Sequence, residues 1–174
     1  MTVDSTDQLH PTAKKDFQRR YYQNWSSFWR DLKIMLSNRA QAKTATSSSQ
    51  LNLAFRERMI LAVTEVNLCR YCRKFHVGQA RQAGISIEEI TVYLKGTIPD
   101  DVPEEQKLAV CYAQHWAETN SQPDPDYIDQ VKEIYGEDGF QAINMVLRMI
   151  TMGNLLGNTW DYILFKISFG RWGQ

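Results

Sequence analysis

Residues 55–80 read FRERMILAVTEVNLCRYCRKFHVGQA, and the rest of the chain is organised around them. The stretch holds Cys69-x-x-Cys72-x-x-x-His76, with Glu57 twelve residues before the first cysteine. On a helix of about 3.6 residues per turn, Cys69, Cys72 and His76 fall within roughly 60° of one another and share a face. Asn67 is a natural break, so both cysteines are expected in the first turn of a new helix. A helix N-terminus lowers thiol pKa, and the thiolate is the reactive form of cysteine. Arg70, Arg73 and Lys74 add positive charge nearby. The pattern favours a redox-active dithiol that needs no metal.

Other chemistries use the same spacing. Structural zinc takes four ligands, commonly from two separated pairs, and here the further candidates are His76 and Glu57. Covalent haem attachment needs histidine directly after the second cysteine, where Arg73 stands. Two buried structural cysteines beside a core histidine are the plain alternative.

The spacing from Glu57 through Cys69 and Cys72 to His76 resembles the alkylhydroperoxidase AhpD-like, carboxymuconolactone decarboxylase superfamily. The likeness extends over QAGISIEEITVYLKG, EEQKLAVCYAQHWAET and YGEDGFQAINMVLRMITMGNLLGNTWD, covering roughly residues 50–165. It implies an all-α fold, an AhpD-like helical bundle with the cysteine pair at a helix N-terminus. It also implies a thiol-dependent peroxidase in which Cys72 attacks, Cys69 resolves, His76 is the base and Glu57 the relay acid. A small organic hydroperoxide would be the substrate, and a protein dithiol, such as a lipoylated protein, the reductant. No bound cofactor and no metal are expected. Family members form dimers, trimers or hexamers, so a homo-oligomer is expected. The family often places a second histidine between the cysteines; here that position is Tyr71, a departure that bears on the detail of the relay. The decarboxylase branch does not need the cysteine pair. A non-catalytic redox-sensing module would use the same dithiol as a switch.

Composition narrows the class. Twenty basic and twenty acidic residues cancel, which gives no electrostatic case for nucleic acid or an anionic membrane. A hydrophobic content of 43% supports an ordinary core within one domain's length. No apolar run approaches the ~18 residues of a membrane span, and residues 1–16 lack the apolar core of a secretory signal. Three cysteines, two of them in the motif, do not make a disulfide scaffold, so a reducing cytoplasm is expected.

Residues 1–50 read as an N-terminal extension, and 51–174 as the AhpD-like domain. A helix is expected from Thr12, because Phe17, Tyr21, Trp25, Phe28, Leu32 and Met35 recur at helical spacing. The stripe suits core packing or subunit docking equally. Residues 37–50 form a polar connection, with Ser47–Ser49 as candidate caps for a helix over 51–66. Glu65 is expected to face solvent. Cys69, nearer the helix end, is expected to be the more exposed thiol and to exchange with the reductant.

Gly84 is expected to close the motif helix, and Ser86-x-x-Glu89 to cap the next, which stops at Gly96. Pro103 should start another helix, with Cys111 a small core residue and His115 structural. Gly136 should end the helix that Asp126 begins. Phe140–Phe165 reads as a long apolar helix, in which Gly153 and Gly157 permit close approach and Asn154 and Asn158 are buried amides.

Overall fold

The structure, a computed structural model, describes residues 16–40 and 51–173. Among them are six helices and no strand: α1 Trp25–Ser37, α2 Leu53–Asn67, α3 Arg70–Gln82, α4 Ile87–Tyr93, α5 Glu104–Glu118 and α6 Pro125–Ile167. The all-α expectation holds, with the cysteine pair at the N-terminus of α3.

The centre of the bundle is α2, packed chiefly between α5 and α6. Its buried residues, Phe55, Met59, Leu61, Ala62 and Val63 among them, lie on more than one face. A helix covered on several sides needs no narrow apolar stripe. Ile90, Tyr93, Val110, Tyr112, Ile143 and Leu147 close the core around it. Burial and a contact with Asn144 act oppositely on the Tyr112 phenol; burial is the larger and pushes it up to about 12. Across the bundle, buried Glu89 accepts two hydrogen bonds from Arg58, at 2.6 and 3.1 Å.

Local signals set the helix boundaries. Gly84 (φ 86°) follows α3 in the left-handed region, which costs glycine least. Ser86 Oγ accepts the Glu89 amide at 3.0 Å, while the Glu89 carboxylate serves Arg58. Pro103 precedes α5, with Glu104 and Glu105 in the first turn beside the positive end of the helix. Gly136 (φ 71°, ψ 174°) breaks α6 into two helical runs. The cap of α2 is Asn52, whose Oδ1 accepts the Phe55 amide at 2.9 Å. The expected caps Ser47–Ser49 lie outside the described residues.

The N-terminal expectation is corrected. Helix α1 starts at Trp25, capped by Asn24, rather than at Thr12, which lies outside the described residues. Residues 16–24 form no helix and lie against α6. Their backbone groups bond outward: Tyr22 N donates to Thr159 Oγ1 at 3.0 Å, and Arg20 O accepts from Asn158 Nδ2 at 2.8 Å. Tyr21 stacks on Tyr162 at 4.0 Å, and Phe17 meets both Tyr162 and Phe165. Trp25, Phe28, Leu32 and Met35 of the expected stripe do lie in α1, whereas Phe17 and Tyr21 are placed by packing on α6. No described helix is long and apolar enough to cross a membrane.

Candidate active site

Two buried amides of α6 hold the turn between α2 and α3. Asn158 Nδ2 donates to Asn67 O at 2.7 Å, and Asn67 Nδ2 donates to Asn154 Oδ1 at 3.2 Å. Asn154 in turn donates to Thr64 Oγ1 at 3.3 Å. Leu68 then takes a left-handed conformation (φ 55°), which reverses the chain. Cys69 follows as the N-cap of α3, its Sγ accepting the Cys72 amide at 3.3 Å. The two cysteines are bridged, with Cα atoms 5.4 Å apart, and Cys111 is free.

Their exposures reverse the expectation. Cys69 is fully buried, while Cys72 is half-buried and lines a cavity. The cause is α6, which approaches closely at Gly157. A Cβ added there would lie 2.8 Å from Cys69 Sγ and 3.4 Å from the Tyr71 ring. Gly157→Ala is therefore expected to lower stability by about 1–3 kcal/mol through overpacking. Urea unfolding checks this, and an unchanged midpoint would mean that α6 is not tightly seated here.

The reversal at Leu68 also returns α3 alongside α2. His76 Nδ1 comes to 2.8 Å from Glu57 Oε2. Glu57 is 4% exposed. With Glu57 ionised, Nδ1 carries the proton and donates it, leaving the lone pair on Nε2. Phe75 stands edge-on to the imidazole at 5.0 Å.

Glu57, Cys72 and His76 line one cavity of about 520 Å³. Leu53, Ile60, Phe75, Val146, Met149 and Ile150 make most of the remaining wall apolar, and Arg56 also lines it. A ligand there is held by burial and oriented by few polar groups. Among the described residues no group of three or more His, Cys, Asp or Glu side chains is placed to hold a metal ion.

Other charged residues have partners of their own. Glu65, expected to face solvent, binds Arg73 at 2.5 Å, with only 13% of its side chain exposed. His115 meets Asp124 at 3.2 Å, in the loop before α6 and outside the cavity wall. Asp161 is fully buried. Its Oδ1 accepts from Tyr71 OH at 2.7 Å and Arg70 Nη2 at 2.6 Å, and its Oδ2 from Arg19 Nη1 at 2.7 Å. Sequence reading did not single this residue out. The available signal is the run Asn154, Asn158, Asp161, spaced by four and three on an otherwise apolar helix.

The model of the family described as the carboxymuconolactone decarboxylase family matches residues 33–112. An uncharacterized protein YdfG of Bacillus subtilis (strain 168) is 26% identical over 110 residues, 63% of this chain and 75% of that one. No solved structure gives a significant match. The family match starts before the expected domain boundary at residue 50 and stops within α5. Asn154, Gly157 and Asp161 lie beyond it.

Proposed function

We propose that the protein, whose residues 33–112 match the model of the carboxymuconolactone decarboxylase family, is a thiol-dependent peroxidase for small organic hydroperoxides. One observation carries the reading: a half-buried Cys72, paired with Cys69, shares an apolar cavity with the Glu57–His76 hydrogen bond. Any cysteine pair can be oxidised. A buried carboxylate that orients an imidazole beside the pair belongs to proton-transfer chemistry.

The cycle starts from the dithiol. His76 Nε2 accepts the Cys72 proton, and the thiolate attacks the terminal hydroperoxide oxygen. The O–O bond breaks, leaving Cys72 as a sulfenic acid and an alkoxide that takes the proton back from His76. Cys69 then attacks the Cys72 sulfur, releasing water and forming the disulfide. An external dithiol restores the starting state. The buried Cys69 changes the reductant's approach: attack falls on the Cys72 sulfur, reached through the cavity, and Cys69 leaves as thiolate.

The test is consumption of an organic hydroperoxide with a dithiol donor, set against decarboxylation of a lactone acid by the same preparation. Peroxide turnover supports the reading. Decarboxylation that persists with both cysteines replaced would favour the decarboxylase branch. A dithiol that oxidises without steady turnover would make the protein a redox sensor.

The protein is further proposed to assemble with copies of itself. Trp25 and Trp29 of α1 are about three-fifths exposed, as is Ile167 of α6, and Trp160 is 56% exposed. Apolar surface on that scale is unusual for a soluble monomer. Light scattering at micromolar concentration is expected to give a multiple of the 20.2 kDa chain mass; a stable monomer would refute it.

A further inference from the structure

The residues before α1 have a place in this chemistry. Asp161 stands where three parts of the chain meet: Arg19 from residues 16–24, Arg70 and Tyr71 from the dithiol turn, and α6 itself. Arg19 also donates to Gly173 O, which ties the C-terminal residues to the same point. Tyr71 lies between the two cysteines in sequence, and its ring packs with Cys69 Sγ around Gly157. The Tyr71 hydroxyl is committed to Asp161, so the residue serves as wall and anchor.

We propose that Arg19 and Asp161 are positioning residues for the dithiol, holding through Arg70 and Tyr71 the turn that presents Cys69 and Cys72. The inference rests on the reading of that pair as redox-active. Two guanidinium cations around one carboxylate leave a net positive charge beside the start of α3. The other charged groups near the pair are His76 on α3 and Glu57 on α2, bonded to each other, Arg56 in the wall of the same cavity, and Arg73, turned to Glu65. Positive charge at the dithiol stabilises thiolate and hence the reduced form. Removing Arg19 cancels the net charge and unties the Asp161 carboxylate on one side.

The experiment equilibrates the full chain in glutathione redox buffers and counts free thiols by alkylation and mass. Arg19→Gln is expected to shift the equilibrium toward the disulfide by about threefold to tenfold, tenfold being ~30 mV for a two-electron couple. Its thiol alkylation midpoint should rise in pH. Arg19→Lys keeps the charge and is expected to stay within about twofold of wild type. Arg20→Gln is the control, because Arg20 ties the same segment to the Ala117 and Glu118 carbonyls without touching Asp161. It should cost stability while leaving the equilibrium constant unchanged. An Arg19→Gln value equal to wild type, or an equal shift in Arg20→Gln, overturns the inference. A wild-type pair that never exchanges with glutathione overturns both the inference and the peroxidase reading. Equal variant values on an exchanging pair remove the inference alone.

Discussion

Cys72→Ser is expected to reduce hydroperoxide turnover with a dithiol donor to the background rate of the donor alone, a fall of about 10³-fold or more. The serine hydroxyl is nearly isosteric but does not ionise near neutral pH, so the nucleophile is lost while the fold is kept. Cys72 is the residue to test because it lines the cavity and Cys69 is buried beneath Gly157. Cys69→Ser makes the complementary case. With the donor left out, it should still consume one equivalent of peroxide and remain as the sulfenic acid on Cys72, because no resolving thiol stands beside it. A burst in Cys72→Ser and none in Cys69→Ser would exchange the two roles.

Glu57→Gln is expected to lower turnover by about ten- to a hundredfold and to raise the apparent thiol pKa. Glutamine preserves the shape and an acceptor for His76 Nδ1, so the bond at 2.8 Å has a neutral substitute. What goes is the negative charge that favours imidazolium. A less basic His76 takes the Cys72 proton less readily, and less positive charge then faces the thiolate. The sign follows: thiol alkylation, which needs thiolate, should have its midpoint at higher pH in the variant. Glu65→Gln is a poor control, since Glu65 neutralises Arg73 directly after Cys72. Exposed Glu88, on α4, serves better and should leave the profile unchanged. Coincident profiles for wild type and Glu57→Gln would make Glu57 a structural acid.

What could be read in the sequence was what short segments decide for themselves. Asn67 marks the break before the cysteines, and the left-handed Leu68 and the N-cap Cys69 follow it directly, though the amides of α6 that hold the turn are distant. Gly84, Ser86, Pro103 and Gly136 punctuate helices through their own φ preferences or side-chain caps. The meeting of Glu57 with His76 follows from that one turn, since it folds two helices of known length into a hairpin.

What was illegible depends on distant partners. Residues 16–24 carry helical aromatic spacing, yet their backbone bonds go to Thr159 and Asn158, more than 130 positions away. The burial of Cys69 depends on Gly157, whose missing side chain admits the sulfur. A helix-end position favours exposure only when nothing packs over it, and here α6 does. Asp161 reads as one acid in an apolar helix until Arg19, Arg70 and Tyr71 are brought to it.

The Cys69–Cys72 pair is proposed to reduce a hydroperoxide at the oxygen–oxygen bond. The most direct measurement takes the fully reduced chain, adds one equivalent of an organic hydroperoxide, and follows free thiols together with the organic product. Three thiols should fall to one, Cys111 remaining, as one equivalent of the corresponding alcohol appears. Three free thiols beside intact hydroperoxide would rule this chemistry out.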